Sequence, residues 1–443
     1  MFQPRGLGFD LQFSRGRGGI ISRRVFSCLN GRTSKIRSRY TERLDASGGA
    51  VNANESSRIN SVSHGTMGRG VAVALLALLS SVPGRAQNPA QGVAQVQGVQ
   101  PGLIEAEKNG RLAVQQNPQD ALAHASLGVV LSREGKYGEA VSAYKKAFSL
   151  DPTLPGIHLN WGIAEFKQGR FAEAVPPLTA ALAADPGSAQ ARTLLGLSCY
   201  GAKQFGEASK HLAIVVKLQP ENMELRKVLA QSCLLAKDYP CAESEFRQIV
   251  QQNPDSASAH VLMGEALDGL GRTPDAIVEF QAAAKVSPRE PEVNFGLGYL
   301  YWKSHQYKQA QAAFRDELAL DPNHAQSLAY LGDIDMKQDN FEQALPLLEK
   351  AVHQRNDIRI AYVDLGAVLM QQKRYPDAMA ALEHAIKLDP SQPDAHFRLG
   401  RLHQALGDNP AAELEFAKVR ELHEKADEDL GSKMSKPSDS SPQ

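Results

Sequence analysis

Residues 291–324 read PEVNFGLGYLYWKSHQYKQAQAAFRDELALDPNH, and this stretch contains the pattern on which the fold depends. Its apolar residues recur three to four positions apart in two runs, which is typical of two short amphipathic helices. In the first run Gly298 follows Leu297, and in the second Ala310 and Phe314 lie one helical turn apart. The pattern predicts a helix–turn–helix unit whose two backbones approach closely at the small residues.

The same pattern recurs nine times between Ala121 and Ala426, every 34 residues and without insertion or deletion. With each unit numbered from 1 to 34, position 8 is Gly in eight units and Ala230 in the other, and position 20 is always Ala. Position 7 is large and apolar, and position 24 is Tyr, Leu or Phe. We expect the large side chains to fill the space beside the small ones.

Prolines recur in the same phase and predict where helices begin and end. A proline at position 32 should end the second helix, because the residue before a proline avoids the α region. The prolines in this phase are Pro118, Pro152, Pro186, Pro220, Pro254, Pro288, Pro322 and Pro390, and Asn356 takes the place of proline once. Prolines suited to a first helical turn are Pro240, Pro274, Pro376 and Pro410 at position 18, and Pro155, Pro291 and Pro393 at position 1. Prolines later in a second helix, where we expect local kinks, are Pro176, Pro177 and Pro346.

In these features the chain resembles the tetratricopeptide repeat (TPR) family. The resemblance implies an all-α fold, a right-handed α-solenoid of about nine tandem 34-residue helix-turn-helix units over residues 121–426. Residues 103–120 should add a degenerate N-terminal capping helix, the second helix of a tenth unit, and the last helix should run from Pro410 to about Asp429. The chain departs from the family at position 4, where the family's Trp is replaced by other residues.

The net charge of zero over 443 residues conceals two unlike pieces. Residues 1–66 carry eleven basic and four acidic residues, a net +7, so the remainder carries −7. This first piece is too polar to form a core; we interpret it as a wrongly assigned start, with Met67 the true first residue, or as an organellar transit peptide. The acidic remainder argues against nucleic acid as a partner, because phosphate binding needs a basic face.

Residues 67–86 have the order of a secretory signal peptide. A basic start precedes an apolar run from Val71 to Leu79, which is too short to span a bilayer, and Gly84 and Ala86 are placed for cleavage before Gln87. We therefore expect a protein exported to the periplasm or the extracellular space if Met67 is the start, with no membrane span. Residues 87–102 should form a flexible linker, and residues 427–443 the end of the last helix and a disordered tail from Gly431.

The residues that could carry chemistry point to no catalysis. The sequence has no phosphate loop, dinucleotide fingerprint, zinc-protease motif or nucleophile elbow, and we predict no catalytic residue, no cofactor and no metal. Position 4 does hold His124, His158, His260 and His396, which could suggest a metal ladder. No Cys or paired carboxylate stands at ligand spacing around them, so we interpret them as semi-polar packing residues beside the preceding unit.

Four cysteines exclude a disulfide-dense scaffold. Cys199 and Cys233 share position 11 of neighbouring units, and packed helices about 8–10 Å apart are too far separated for a bridge. Cys233 and Cys241 flank one inter-helix turn and could meet, so a disulfide there and two unbonded thiols remain alternatives.

By resemblance to the family, positions 2, 5, 9, 12 and 13 face a concave groove that is lined by the first helix of each unit. Charged and aromatic side chains at these positions have the composition of a recognition surface, and we predict a partner-binding groove formed by Glu265, Asp268, Glu292, Phe295, Tyr299, Trp302, Lys303, Asp333 and Lys337. The alternative is that Phe295 and Tyr299 pack against neighbouring helices and the charges are merely solvated.

These observations favour a non-catalytic, exported protein–protein interaction scaffold that binds a polypeptide segment in its groove. A second hypothesis is an assembly or accessory factor of envelope machinery, such as secretion, pilus or polysaccharide export, that acts through its convex face and ends. An enzyme subunit is the least favoured, because no nucleophile–base pair is visible. The partner's identity and the oligomeric state stay open.

Overall fold

The computed structural model describes residues 101–435, and within that range the chain forms helices and no strands. The predicted all-α fold is confirmed. The nineteen helices are α1 (Pro101–Gln116), α2 (Ala121–Arg133), α3 (Tyr137–Leu150), α4 (Ile157–Lys167), α5 (Phe171–Ala184), α6 (Ala189–Gly201), α7 (Phe205–Leu218), α8 (Met223–Leu235), α9 (Tyr239–Gln252), α10 (Ala257–Gly269), α11 (Thr273–Val286), α12 (Val293–Lys303), α13 (Tyr307–Leu320), α14 (Ala325–Lys337), α15 (Phe341–Gln354), α16 (Arg359–Gln371), α17 (Tyr375–Leu388), α18 (Pro393–Leu406) and α19 (Asn409–Ser435).

The two helices of each unit pack as the small residues predict. A Cβ atom added to Gly298 would lie 2.6 Å from Cδ1 of Phe314, and one added to Gly162 would lie 2.5 Å from Cγ of Leu178. Every glycine at position 8 meets the position-24 side chain of its own unit in this way. The alanines at position 20 are buried in all nine units. Position 8 therefore lets the two helices approach, and position 24 fills the contact.

Prolines mark the helix ends as predicted, except at two positions. The second helices that precede a position-32 proline end two residues before it, and α15 ends in the same phase although position 32 is Asn356. Proline lies in the first turn of α9, α11, α17 and α18. The placement of Pro155 and Pro291 in a first turn was wrong, because α4 and α12 begin two residues later, after Gly156 and Glu292 in the left-handed conformation. Helix α5 continues through Pro176 and Pro177, as α15 does through Pro346.

Each unit turns between its helices through a left-handed residue at position 15. This residue is glycine in four units, where a positive φ carries no steric cost. In the other five units it is Lys203, Lys237, His305, Asp339 and Lys373, with φ between 58° and 62°.

The units stack so that each hydrophobic core is shared with the next. The largest cluster of buried apolar side chains extends from Phe166 in α4 to Leu300 in α12, across five units. Each second helix packs against the first helix of the following unit, and first helices of successive units also touch, whereas second helices make no comparable contact with one another among the described residues. The first helices therefore lie on the inner, concave side of the stack.

Both ends of the described range differ slightly from expectation. Helix α1 begins at Pro101, so the last two residues of the predicted linker are helical. Helix α19 continues to Ser435, so the expected disorder from Gly431 is wrong for residues 431–435; these residues precede Pro437, the next residue that opposes a helix. The predicted start or transit segment at 1–66, the signal peptide at 67–86 and the rest of the linker and tail lie outside the described residues. Within residues 101–435, no helix combines the length and apolarity that crossing a bilayer requires.

Candidate functional site

The first helices are joined along the concave side by side chains at positions 9, 12 and 13. Position 12 of one unit donates to position 9 of the next: the Tyr200 hydroxyl donates to Oε1 of Gln231 at 2.9 Å, and the Trp302 indole Nε1 donates to Oδ2 of Asp333 at 2.5 Å. Position 13 reaches back to position 12 of the preceding unit, as Lys303 does to Asp268. The side chains at positions 9, 12 and 13 of units two to eight form one stripe, which we call the groove stripe, and these contacts join units three and four, five and six, and six and seven.

Asp333 is the most enclosed charged member of the groove stripe, with a relative exposure of 2%. Besides Trp302 it accepts two hydrogen bonds from Nζ of Lys337, at 2.8 and 2.7 Å. The same ammonium group lies 4.7 Å from the centroid of the Trp302 ring, a cation–π contact. A buried carboxylate needs such partners because burial without them disfavours its charged form. The structure therefore brings together three predicted groove residues in one network.

Asp268 and Lys303 form a second pair, between units five and six. Nζ of Lys303 donates to both carboxylate oxygens of Asp268, at 2.8 and 3.0 Å. Oδ1 of Asp268 also accepts the hydroxyl of Thr273 at 2.9 Å. These predicted residues are thus placed together, and their charges neutralise each other rather than facing solvent alone.

The prediction that Phe295 and Tyr299 line an open surface is wrong. Their relative exposures are 2% and 3%. Phe295 packs against Phe314 and Tyr330 with ring centroids 5.9 and 6.0 Å apart, and Tyr299 stacks on Trp302 at 5.9 Å. The close contact between successive first helices covers positions 5 and 9 here, so these rings belong to the packing between units six and seven.

Glu292 lies at the edge of the groove stripe and keeps 42% of its side chain exposed. Its Oε1 lies 3.3 Å from Nε2 of His324, at the end of the same unit. Its backbone N–H donates to Oε1 of the buried Glu317 at 3.3 Å. Glu292 therefore forms part of the turn before α12, because it adopts a left-handed backbone conformation, with φ of 70°, directly before that helix begins.

Glu265 and Lys167 are the two charged groups of the groove stripe in units two to eight that have no hydrogen bond or ion pair among the described residues. Both side chains are half-buried. Burial raises the pKa of Glu265 to about 7, and burial lowers the pKa of Lys167. Each shift has the direction expected when a charge loses water and gains no partner.

Asp364 extends the acidic part of the groove into unit eight. It is buried beside Asp333, and burial, followed by the negative charge of Asp333, raises its pKa well above its usual range. The guanidinium of Arg398 opposes this shift from 3.8 Å. The negative charge of a neighbouring carboxylate and the loss of water both favour the protonated form of Asp364.

The position-4 histidines contact other groups of the same chain. Nδ1 of His260 lies 2.7 Å from Oε2 of Glu279, and its Nε2 lies 3.0 Å from the carbonyl of Pro254. His396 contacts Glu415 at 2.6 Å in the same register, and Arg226 takes the histidine's place in unit four. His260 and Arg226 therefore join the preceding turn to position 23 of their own unit, whereas His158 packs against Phe148 of the preceding unit, with ring centroids 4.9 Å apart, as the sequence predicted.

Cys233 and Cys241 are joined by a disulfide in the structure, with their Cα atoms 5.7 Å apart. Cys199 is a buried free thiol, and burial raises its pKa to about 11. Such a thiol is unreactive. Asp238 lies near the two bonded cysteines, but sulfurs bonded to each other are not thiolate ligands for a metal.

Sequence reasoning missed Lys167 as an unpaired group, the Asp333–Asp364 pair and the links from position 12 to position 9. The sequence did contain a signal for these links, because residues 31 positions apart, such as Tyr200 and Gln231, pair a hydrogen-bond donor with an acceptor. That spacing becomes meaningful only when the stacking of first helices is known.

Family models described as "Tetratricopeptide repeat" match residues 131–197, 165–232, 238–291, 261–325 and 295–357, and one described as "TPR repeat" matches residues 366–407. Anaphase-promoting complex subunit 7 of Homo sapiens is 29% identical over 158 residues, 35% of this chain and 26% of that protein. A TPR repeat-containing protein of Treponema pallidum (strain Nichols) is 31% identical over 119 residues, 25% of this chain and 14% of that protein.

Among solved structures, the Cut9–Hcn1 hetero-tetramer of the APC/C is similar to 72% of this chain and 79% of its own, with 13% identity and a TM-score of 0.44. Yeast Tom70 is similar to 75% of this chain and 91% of its own, with 15% identity and a TM-score of 0.36. The chain spans about a quarter of the length of the anaphase-promoting complex subunit that it matches.

Proposed function

Because the chain belongs to the tetratricopeptide repeat family, we propose that it is a protein–protein interaction scaffold and binds a polypeptide segment along the concave side of its first helices. The observation that carries the proposal is the groove stripe, in which first helices present polar, charged and aromatic side chains at the same repeat positions. A surface that mixes both charge signs with aromatic rings suits a polypeptide better than a nucleic acid. We propose no catalytic step for this groove.

The buried pairs of the stripe have a defined role in this function. Asp333, Trp302 and Lys337 hold one another, and so do Asp268 and Lys303. Side chains locked in this way fix the spacing of the first helices, and a rigid surface loses less conformational entropy when it binds. These five residues therefore shape the groove, and half-buried neighbours such as Ile163 and Gln231 are left to contact the partner.

We propose in addition that the protein is exported, with Gln87 as the first residue of the mature chain. The Cys233–Cys241 disulfide supports this, because structural disulfides form in secreted and periplasmic proteins and are rare in a reducing cytosol. N-terminal sequencing of the protein isolated from its native cell is the test. A native N-terminus at residue 1 or at Met67, on protein recovered from the cytosol, would contradict export.

A second candidate function is an assembly factor of envelope machinery that acts through the ends of the stack. It is favoured by apolar side chains that the two end units leave exposed, Ile104 and Leu112 on α1, Phe397 on α18 and Leu414 on α19. In unit six the residue that corresponds to Phe397 is Phe295, which the next unit covers, so a partner could complete the stack at the end that carries Phe397.

Site-specific photo-crosslinking in intact cells distinguishes the two functions. A photoreactive residue is placed singly at Ile163 or Gln231 in the groove, at the exposed Val278 on a second helix, or at Leu112 or Phe397 at the ends. Groove binding predicts crosslinks from Ile163 and Gln231 and none from Val278. Crosslinks from the end positions alone would overturn the groove proposal in favour of the assembly factor.

A further inference from the structure

Two spacings between repeat positions determine which side chains pair within the groove stripe. An acceptor at position 9 receives a donor from position 12 of the preceding unit, as Asp333 does from Trp302. A lysine at position 13 lies against position 12 of the preceding unit, as Lys303 does on Asp268 and Lys337 does on the ring of Trp302. Glu265 and Lys167 occupy these same positions, and in both cases the residue that should serve as partner is of the wrong chemical type.

Glu265 is an acceptor at position 9 of unit five. The residue that would donate to it is at position 12 of unit four, and this residue is Leu234, which is buried and has no donor. Among the described residues nothing else pairs with the carboxylate of Glu265. Glu265 therefore lacks the hydrogen-bond donor that Trp302 provides to Asp333 between units six and seven.

Lys167 is a cation at position 13 of unit two. Position 12 of unit one is Ser132, a neutral residue whose hydroxyl lies 3.2 Å from the hydroxyl of Tyr144. No anion in the described part of the chain reaches the ammonium group of Lys167. On the same helix Leu159 and Ile163 are half-buried apolar side chains on the predicted groove face, so the cation stands at the end of a short apolar strip.

We propose that units two to five bind an extended polypeptide segment that places a carboxylate on Lys167, an apolar side chain on Leu159 and Ile163, and a basic side chain on Glu265. This assignment rests on the proposed function and names the chemistry of its partner. The segment supplies the two counter-charges that the repeat register leaves out. Burial of Lys167 and Glu265 favours binding of such a segment, because a half-desolvated charge gains more from a counter-charge than a fully solvated one does.

The separation of the two charges sets the length of the segment. Lys167 and Glu265 lie on first helices three units apart, and neighbouring packed helices are about 8–10 Å apart, which gives roughly 24–30 Å. An extended chain advances about 3.3–3.6 Å per residue. The acidic and the basic residue of the segment should therefore be about seven to nine positions apart, in one fixed order along its sequence.

The test is selection from a random twelve-residue peptide library displayed on phage, with the full chain as the immobilised target. The inference expects enriched peptides that contain an acidic and a basic residue seven to nine positions apart in a single order, with an apolar residue near the acidic one. Enrichment of peptides without this pair would overturn the inference and leave the proposed function intact. If no peptide is enriched over an unrelated protein, the proposed function fails as well.

Variants of the chain then assign the contacts. For the most enriched peptide, made synthetically, Lys167→Gln and Glu265→Gln should each weaken binding about tenfold or more in fluorescence anisotropy. The matched control is Lys217→Gln with Glu342→Gln, exposed residues on second helices, which should leave the affinity unchanged. Selection against the Glu265→Lys chain should replace the basic residue of the enriched peptides by an acidic one. Equal affinities for all variants would overturn the assignment of these two residues.

Discussion

The indole of Trp302 donates to the carboxylate of Asp333 across the boundary between units six and seven, with Nε1 and Oδ2 2.5 Å apart. Lys337 neutralises the same carboxylate and covers the Trp302 ring. The shape of the proposed groove and the stacking of the units thus depend on the same side chains. Changes in the groove should be measurable as changes in stability.

Trp302→Phe should lower the free energy of unfolding by about 1–3 kcal/mol, because it leaves the buried Asp333 short of one donor. The measurement is urea unfolding followed by circular dichroism. A control is Tyr301→Phe, which removes an exposed hydrogen bond from Gln281 and should change stability by less than about 0.5 kcal/mol. Equal effects of the two substitutions would show that the Trp302–Asp333 bond does not stabilise the stack.

Asp364→Asn should stabilise the protein progressively as pH rises. The pKa of Asp364 is raised in the folded state, so the folded protein binds this proton more tightly than the unfolded chain does. Its contribution to stability is therefore greatest below pH of about 4 and is lost as pH rises toward the folded pKa. The difference in unfolding free energy, variant minus wild type, should increase between pH 4 and 8. A difference that stays constant over this range would contradict the raised pKa.

Gly298→Ala should destabilise the protein by about 1–3 kcal/mol, since the added Cβ would lie 2.6 Å from Cδ1 of the buried Phe314. Gly206→Ala is the matched control: this glycine is also helical, and a Cβ there meets nothing within 4 Å. The control should be neutral or stabilising by up to about 1 kcal/mol, because alanine restricts the unfolded chain. Thermal unfolding of the two variants measures the contrast, and similar losses in both would reject the close-packing explanation.

The disulfide should contribute about 2 kcal/mol, the value expected for closing a short loop between Cys233 and Cys241. Urea unfolding with and without a reducing agent measures this contribution. Alkylation of the denatured, unreduced protein, followed by peptide mass spectrometry, should label Cys199 and leave Cys233 and Cys241 unlabelled. Labelling of all three in protein from the native compartment would exclude the bond there.

The sequence predicted the unit itself because its signals act within 34 residues. Gly298 and Phe314 are sixteen positions apart, and two short helices joined by a tight turn bring such positions together whatever follows. The same locality explains the errors at Pro155 and Pro291. Proline suits a first helical turn, but here the left-handed residues Gly156 and Glu292 follow it and delay the helix.

The groove was predictable only in part, because burial there depends on how closely successive first helices approach. Helical spacing places Phe295 and Tyr299 on the groove face, yet the neighbouring first helix covers both. The pairing of Asp268 with Lys303 depends on the same distance between units. Periodicity gives the direction in which a side chain points, and the packing between units decides whether it remains accessible.

Hydrogen–deuterium exchange of the full chain, with and without a peptide selected from the library, tests the central claim most directly. Groove binding predicts added protection in the first helices α4, α6, α8 and α10, with the second helices α5, α7, α9 and α11 unchanged. Protection confined to the second helices or to α1 and α19 would contradict the account and place the partner on the outer face or at the ends.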